Sequence, residues 1–272
     1  TSPSDSLQYF PTKRVHFPAM FGIETIFDTL PQFLIVCLIL AIAEAVYVLL
    51  GFGAGLIAVG TMALLLPELK DAVVLLLLVN LPAELWVVRS SWERISWRGV
   101  LAIFVGVAIG TPLGTSLLRW GDARLLLFVL GIFLVAVGSV FLFIRENRRR
   151  KMPRWIAGPV GMISGVLTGL FGTGGPPLIL YYQLQGVDKA AFRGNLMAIF
   201  LLMTAVRVPS YAAFGLVTEP RMWSALIVMP AVILGAVIGN RIHLRIEEAT
   251  FRRLVSAALL LIGLLLLVPG VR

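Results

Sequence analysis

Long apolar segments follow one another through the sequence, with only short polar stretches between them. A helix needs about 20 apolar residues to cross the hydrocarbon core of a bilayer, and most of the segments approach that length. Pro or charged residues bound them, as is typical of helix ends. The pattern predicts an all-α polytopic membrane protein. The segments lie at about 31–50, 53–66, 72–88, 98–118, 123–144, 155–171, 174–184, 194–213, 221–240 and 251–268.

The composition indicates that lipid is the solvent. Of the 272 residues, 59% are hydrophobic and 14% are charged, whereas a soluble domain has roughly 25% charged residues. The net charge of +9 could indicate a nucleic-acid partner. The basic residues lie mostly in short loops, however, where they report membrane topology. We therefore expect the bilayer as a partner and no nucleic acid.

Glycines interrupt the apolar sequence at two places. The first break, Gly51–Gly55, reads Gly-Phe-Gly-Ala-Gly, and the second, Phe171–Pro177, reads Phe-Gly-Thr-Gly-Gly-Pro-Pro. The segments that follow, 53–66 and 174–184, are too short to span a membrane alone. Broken helices are tolerated at membrane depth only where they line a protein cavity. A matched pair of breaks in the two halves of a chain indicates the binding site of a transporter.

A helix that starts at such a break points free N–H groups and a partial positive charge into the cavity. Two such starts facing each other would form an anion site, although close helix packing at the glycines is an alternative explanation. We expect Gly174→Val to abolish binding by filling the space of the ligand. Gly114→Ala, outside the breaks, should be milder. The predicted binding residues at the breaks are Gly53, Gly55, Gly172, Thr173, Gly174, Gly175 and Pro176.

Several polar side chains lie deep inside apolar segments. A charge at such depth costs at least ~2.5 kcal/mol on insertion scales, so it usually faces a cavity or a partner. We predict that Arg207 adds positive charge to the anion site, with Asn80 and Asn195 as further binding residues. Glu44 or Glu84 would take a coupling proton. The alternatives are an internal ion pair or, for Arg207, a side chain that snorkels to the surface.

The two halves of the chain share features in the same order. Residues 109–114 and 234–239 both contain Gly-x3-Gly, at an offset of 125, while the glycine breaks match at 119 and Asn80 matches Asn195 at 115. A drifting offset is what changes in loop length produce after an old duplication. Small-xxx-small spacing alone would indicate only close helix packing, but the shared order favours an internal repeat.

Basic residues set the predicted orientation. Residues 145–154 carry five arginines and one lysine, so this loop should be cytoplasmic. A returning hairpin at 155–184 keeps the basic loops 185–193 and 241–253 on the same side. The same hairpin at 31–66 inverts the halves, each with about three further transmembrane helices, and puts both termini outside. The predicted domains are a tail at 1–30, repeats at 31–144 and 155–272, and a basic cytoplasmic linker at 145–154.

Five motifs stand out in this chain: Gly51-Phe52-Gly53, Gly169–Pro177, Phe192-Arg193-x-Asn195, Leu234-Gly235-x3-Gly239 and Phe251–Leu254. Together they resemble the TauE/SafE sulfite exporter family. The resemblance covers nearly everything after residue 30 and implies a bacterial cytoplasmic-membrane carrier of sulfur-containing anions or other small organic anions. The first break has Ala54 where the second has Thr173, and it lacks Pro-Pro. An asymmetric site, with more ligands from the second half, would follow.

The predicted function is secondary transport of a small sulfur-containing anion, sulfite or an organosulfonate such as sulfoacetate, in the export direction. A carrier of another anion, such as a carboxylate, and a scaffold whose glycines only pack helices stay open. No HExxH or GxSxG motif is present, and His16 and His243 are far apart, so no enzyme, metal or cofactor is expected. The expected partners are the anion and the bilayer, and a homodimer is one option for the assembly.

Overall fold

The structure, a computed structural model, describes residues 24–50, 54–91, 95–143, 153–185, 189–241 and 248–268. This part of the chain contains ten α-helices, one short 3₁₀ turn and no strand, which confirms the all-α prediction. The helices are α1 (Leu30–Leu50), α2 (Ala54–Leu65), α3 (Leu69–Ser91), α4 (Trp97–Trp120), α5 (Ala123–Phe143), α6 (Ala157–Phe171), α7 (Gly175–Gln185), α8 (Lys189–Ala213), α9 (Glu219–Arg241) and α10 (Glu248–Leu267).

Five of these helices are long and apolar enough to cross a membrane: Leu30–Val48, Trp97–Trp120, Ala123–Phe143, Gly194–Ala213 and Glu219–Gly239. Large apolar side chains project outward from α1, α4, α5, α9 and α10. Such a surface suits contact with lipid tails rather than water. The protein is therefore a multi-pass membrane protein. Representative outward side chains are Leu38, Val105, Phe128, Leu226 and Leu261.

The centre of the molecule is formed by α3 and α8, which pack against each other. Residues 71–77 of α3 are all buried, so every side of this helix is covered over two turns. Around this centre α4 packs on α6 and on α8, α9 packs on α1 and on α3, and α5 packs on α10. The short helices α2 and α7 each pack against the helix that precedes them, α1 and α6 respectively. They thereby lie beside the central pair.

The contact between α4 and α6 is made by backbone rather than by side chains. Three glycines spaced four residues apart on α4 face three with the same spacing on α6. A methyl group at any of the six would overlap backbone atoms of the facing helix. Small residues let membrane helices approach this closely, which is how they associate without a hydrophobic driving force. The six are Gly106, Gly110, Gly114, Gly161, Gly165 and Gly169.

Gly114→Ala, expected to be milder than Gly174→Val, would itself disturb this contact. A Cβ at Gly114 would collide with the Val166 carbonyl oxygen and lie 2.9 Å from the Leu170 nitrogen. The matching motif on α9 packs in the same way, since Gly235 and Gly239 lie against the backbone of Ala41 and Ala45 on α1. Both Gly-x3-Gly motifs of the sequence are thus close helix contacts.

Several predictions fall on residues that the structure does not describe. The basic linker at 145–154 is described only from residue 153 onward, and the tail at 1–30 only from residue 24. The glycines at the start of the first break, within residues 51–53, also lie outside the described residues. The predicted orientation in the membrane, with both termini outside, stays a prediction.

Candidate functional site: a polar cavity between two helix starts

A cavity of about 70 Å³ lies beside the central helices and is bounded by α1, α2, α3, α6, α7 and α8. One water needs roughly 10–15 Å³ measured in this way, so the cavity has room for several waters or one small oxyanion. Tyr47, Ile179, Phe200 and Met203 form apolar parts of its wall. The polar side chains of the wall are concentrated near the second glycine break and on two facing helices, α3 and α8.

The second break is built around Gly172, which ends α6. Its φ of 72° is left-handed, and its N–H donates to the Thr168 carbonyl oxygen at 2.8 Å. Glycine adopts this conformation without the steric cost that a Cβ brings. The chain then turns at Thr173 and starts α7 at Gly175, and Pro176 follows in the first turn, where proline is well tolerated.

The start of α2 reaches the same cavity. This helix begins at Ala54, and Gly55 lines the cavity opposite Thr173, whose Cγ2 would lie 3.5 Å from a Cβ at Gly55. Two helix N-termini therefore open on one small space. Each contributes unpaired N–H groups and partial positive charge near its first turn.

The sequence predicted that a side chain at Gly174 would fill the space of the ligand, but in the structure Gly174 packs closely against α6. A Cβ at Gly174 would overlap the Ser164 carbonyl oxygen and the Thr168 Oγ1, so a valine side chain would point into α6. The explanation that Gly174→Val fills the ligand space is therefore wrong. The substitution would instead push the break away from the helix that precedes it.

Arg207 of α8 faces the break from the other side of the cavity. Its Nη1 donates to the Gly172 carbonyl oxygen at 2.8 Å, and its Cζ lies 5.6 Å from the centre of the Tyr211 ring. The residue is 3% exposed, which rules out a side chain that snorkels to the surface. Its Nε has no hydrogen-bond partner among the described residues. Part of the guanidinium is thus available to a ligand.

Three buried polar atoms in the wall of this cavity have no partner in the described part of the chain. They are the Thr173 Oγ1, the Arg207 Nε and the Glu84 Oε2. An unsatisfied buried donor or acceptor costs about 1–3 kcal/mol, so native structures rarely keep one without water or a ligand to satisfy it. Two of the three atoms can donate, which suits an anion.

The sequence model of the family described as "Sulfite exporter TauE/SafE" matches residues 36–266. The chain belongs to the TauE/SafE sulfite exporter family. The resemblance found in the sequence motifs is thereby confirmed, and the protein is a member of a membrane transporter family.

Two curated relatives of this TauE/SafE protein extend over most of both chains. The "probable inner membrane transporter protein TsaS" of Comamonas testosteroni is 26% identical over 191 residues, which is 70% of this chain and 80% of the relative. The "probable sulfite/organosulfonate exporter TauE" of Cupriavidus necator is 27% identical over 225 residues, 81% of this chain and 88% of the relative. No solved structure matches the chain.

In this TauE/SafE protein, most of the predicted site residues come together. The cavity wall includes Gly55, Asn80, Glu84, the segment Gly172–Pro176 and Arg207. Residues from both halves of the sequence, more than 80 positions apart, therefore share one space.

Other predicted residues lie elsewhere. Glu44 of α1 lines a smaller space of about 10 Å³ that shares Tyr47, Gly55 and Asn80 with the main cavity, and its Oε1 has no described partner. Asn195 is buried away from the cavity wall, where its Oδ1 accepts the N–H of Ser96 at 2.7 Å, just before α4. Gly53 lies outside the described residues.

Sequence reasoning missed the side chains that hold the site in place. The Tyr211 hydroxyl donates to the Gly169 carbonyl oxygen at 3.0 Å and so helps Arg207 to cap the end of α6. The Thr204 hydroxyl hydrogen-bonds the carboxyl of Glu84. Both residues lie on the Arg207 face of α8, at spacings of three and four, and this spacing was the signal available in the sequence.

Proposed function

We propose that the protein is a secondary transporter of the bacterial inner membrane that exports a small sulfur-containing anion, sulfite or an organosulfonate such as sulfoacetate. The observation that carries the proposal is the cavity between the starts of α2 and α7, in which Thr173 and Arg207 present donors that have no partner among the described residues. The anion class and direction agree with the name of the Cupriavidus necator relative, and the membrane agrees with that of the Comamonas testosteroni relative.

The chemistry of the wall suits an oxyanion. Sulfite and sulfonate oxygens accept hydrogen bonds, and the available donors are the Thr173 hydroxyl, the Arg207 Nε–H and the backbone N–H groups at the start of α7. Pro176 and Pro177 carry no N–H, so backbone donors at this helix start are limited to residues 173–175. The anion would therefore sit against the break itself, between Thr173 and the opposite wall at Gly55.

The helix packing supports a two-fold internal repeat around this site, and we propose that the two halves are inverted. If α1–α5 are matched in order with α6–α10, the α4–α6 contact of one half corresponds to the α9–α1 contact of the other. In the same way the α4–α8 contact corresponds to α9–α3, and the α1–α2 contact corresponds to α6–α7. All these contacts are present. The pairs α3–α8 and α5–α10 exchange onto themselves. A site between α2 and α7 would lie on the pseudo-two-fold axis, as in many secondary transporters.

A thermal-shift screen of the purified protein tests the proposal. A ligand that binds only the native state stabilises it by mass action, by about 2.7 kcal/mol at 100 times its Kd. Sulfite, sulfoacetate and taurine are compared with sulfate and simple carboxylates, and malonate is the matched control for sulfoacetate because a carboxylate replaces the sulfonate. We expect sulfoacetate or sulfite to raise the melting temperature more than malonate does.

Two other results have defined meanings. A shift with malonate and other carboxylates alone would assign the protein to carboxylate transport. Stabilisation by none of the anions, in protein that melts cooperatively, would favour a scaffold in which the glycines only pack helices. Efflux of radiolabelled sulfite from loaded proteoliposomes, compared with protein-free liposomes, then tests transport itself.

A further inference from the structure

We propose that the cavity binds its anion together with a proton held by Glu84, so that the protein moves anion and proton in the same direction. The inference rests on the proposed function, because it assumes that an anion occupies the cavity. It identifies the coupling ion and the group that carries it. Nothing in the family name or in the names of the relatives specifies either.

The first argument is the balance of charge. The ionisable side chains in the main cavity and the adjoining small space include one cation, Arg207, and two carboxylic acids, Glu84 and Glu44. With both acids ionised, these three groups have a net negative charge and repel an anion in a weakly screened site. Protonation of one acid neutralises the set, and the anion then meets two positive helix starts and a free guanidinium donor.

The second argument is the position of Glu84. Its carboxyl interacts electrostatically with Arg207 and hydrogen-bonds the Thr204 hydroxyl, one turn before Arg207 on α8. Its Oε2 is buried in the cavity wall without a described partner. An ionised Glu84 would therefore compete with the substrate for the only cation of the described cavity wall. A protonated Glu84 ceases to compete and can itself donate a hydrogen bond to an anion oxygen.

Other titratable groups near Glu84 do not replace it in this role. The Tyr211 hydroxyl is engaged by α6 carbonyls. Asp71, at the other end of α3, accepts a hydrogen bond from Arg221 of α9 at 2.8 Å. The described titratable or charged groups on the helices around Glu84 are Cys37, Glu44 and Tyr47 of α1, Lys70 and Asp71 of α3, Tyr181 and Tyr182 of α7, Arg207 and Tyr211 of α8, and Glu219, Arg221 and Arg241 of α9.

The consequence for transport is a positive linkage between proton and anion. Each raises the affinity of the site for the other by the same factor. A monoanion that moves with one proton carries no net charge, so its direction follows the anion and pH gradients rather than the membrane potential. Export would then require an outward anion gradient larger than the inward proton gradient.

The test is isothermal titration calorimetry of the full chain in detergent with isethionate, an organosulfonate whose charge does not change near neutral pH. Titrations in two buffers of different ionisation enthalpy report protons taken up on binding. We expect uptake of about one proton, and an affinity that rises about tenfold for each unit that the pH falls where uptake is complete. Binding without proton uptake would overturn the coupling while leaving the proposed function intact.

Variants then test the assignment to Glu84. Glu84→Gln mimics the protonated side chain, so its affinity should stay high and nearly independent of pH, with no proton uptake. Glu219→Gln, an exposed acid at the start of α9, is the matched control and should behave as the wild type. An unchanged pH slope in Glu84→Gln would overturn the assignment. Failure of isethionate, sulfite and sulfoacetate to bind the wild type at every pH would overturn both this inference and the proposed function.

Discussion

Two buried arginines in this protein are bonded in different ways. Arg221 of α9 places its Nε 2.8 Å from the Asp71 Oδ1, its Nη2 3.1 Å from the Glu68 Oε2 and its Nη1 2.8 Å from the Leu216 carbonyl oxygen. Arg207 of α8 makes one such bond, to the Gly172 carbonyl oxygen, and leaves its Nε without a described partner in a cavity.

Under the proposed function, the difference separates a structural cation, Arg221, from a candidate binding cation, Arg207. Each guanidinium nitrogen of Arg221 makes a hydrogen bond, two of them to Asp71 and Glu68 at the start of α3 and one to Leu216 just before α9, so the group joins the starts of the two helices. Arg207 lies in the cavity wall with an Nε–H donor that has no partner among the described residues, and a ligand in the cavity can accept a hydrogen bond from it. Loss of the first should therefore reduce stability, and loss of the second should reduce anion affinity.

The largest expected effect is on folding, from Arg221→Ala. The substitution leaves Asp71 buried, with a side chain 4% exposed, and breaking a buried pair in this way costs about 3–5 kcal/mol. Glu68, with a side chain 44% exposed, adds little. Differential scanning fluorimetry should show a much lower melting temperature, while protein that stays folded binds sulfite as the wild type does. A near-normal melting temperature would refute the structural role.

The next effect is on binding, from Arg207→Gln. A hydrogen bond to a charged group contributes about 1.5–3 kcal/mol, so sulfite affinity should fall by roughly 10- to 150-fold. Stability should fall less than in Arg221→Ala, because one bond to Gly172 is lost rather than a buried ion pair. Calorimetric affinity and melting temperature are measured together. If affinity is unchanged and only stability falls, Arg207 belongs with Arg221 as a structural cation.

A pair of glycine substitutions sharpens the contrast between close-packed and open regions. Gly114→Ala inserts a methyl group into the backbone of α6, and overpacking typically costs about 1–3 kcal/mol. At Gly55, on the cavity wall, the nearest atoms to a new Cβ are Thr173 Cγ2 at 3.5 Å and Leu76 Cδ2 at 3.6 Å, ordinary contact distances. Gly55→Ala should therefore melt near the wild-type temperature, and a large loss in this variant would mean that the cavity is less open than described.

The smallest effect is expected from Thr173→Val. The change removes the unpartnered hydroxyl while keeping the branched shape, so sulfite affinity should fall by several fold, the equivalent of about 1 kcal/mol, without loss of stability. Thr111→Val is the matched control, because the Thr111 Oγ1 of α4 is also buried and unpartnered among the described residues but lies away from the cavity. Equal affinities for the two variants would remove Thr173 from the binding site.

The sequence predicted the helices well because apolar length and bounding Pro or charge are direct physical signals in a membrane protein. The start of α8 was less well placed. The prediction began at residue 194, but the helix begins at Lys189, because the charged residues of its first turns interrupt the apolar pattern without interrupting the helix.

Many of the residues that line the cavity were predicted from the breaks and from Arg207. The hydroxyl groups of Thr204 and Tyr211 were missed because neither interrupts an apolar segment. Asn195 was assigned to the site from its match with Asn80, but a match between repeats does not determine which backbone N–H a side chain contacts. The spacing of Gly110 and Gly114 indicated close helix packing, but only the three-dimensional contact shows that the missing Cβ of Gly114 faces the backbone of α6.

The glycine contact between α4 and α6 limits how this transporter can move. The two helices come from opposite halves of the chain, and each glycine lies against a backbone group that a larger residue could not approach. Sliding one helix along the other would bring larger side chains into those positions. We therefore expect α4 and α6 to move together as one rigid unit. Exposing the cavity first to one side and then to the other would therefore depend on tilting of the short helices α2 and α7 rather than on the halves gliding past each other.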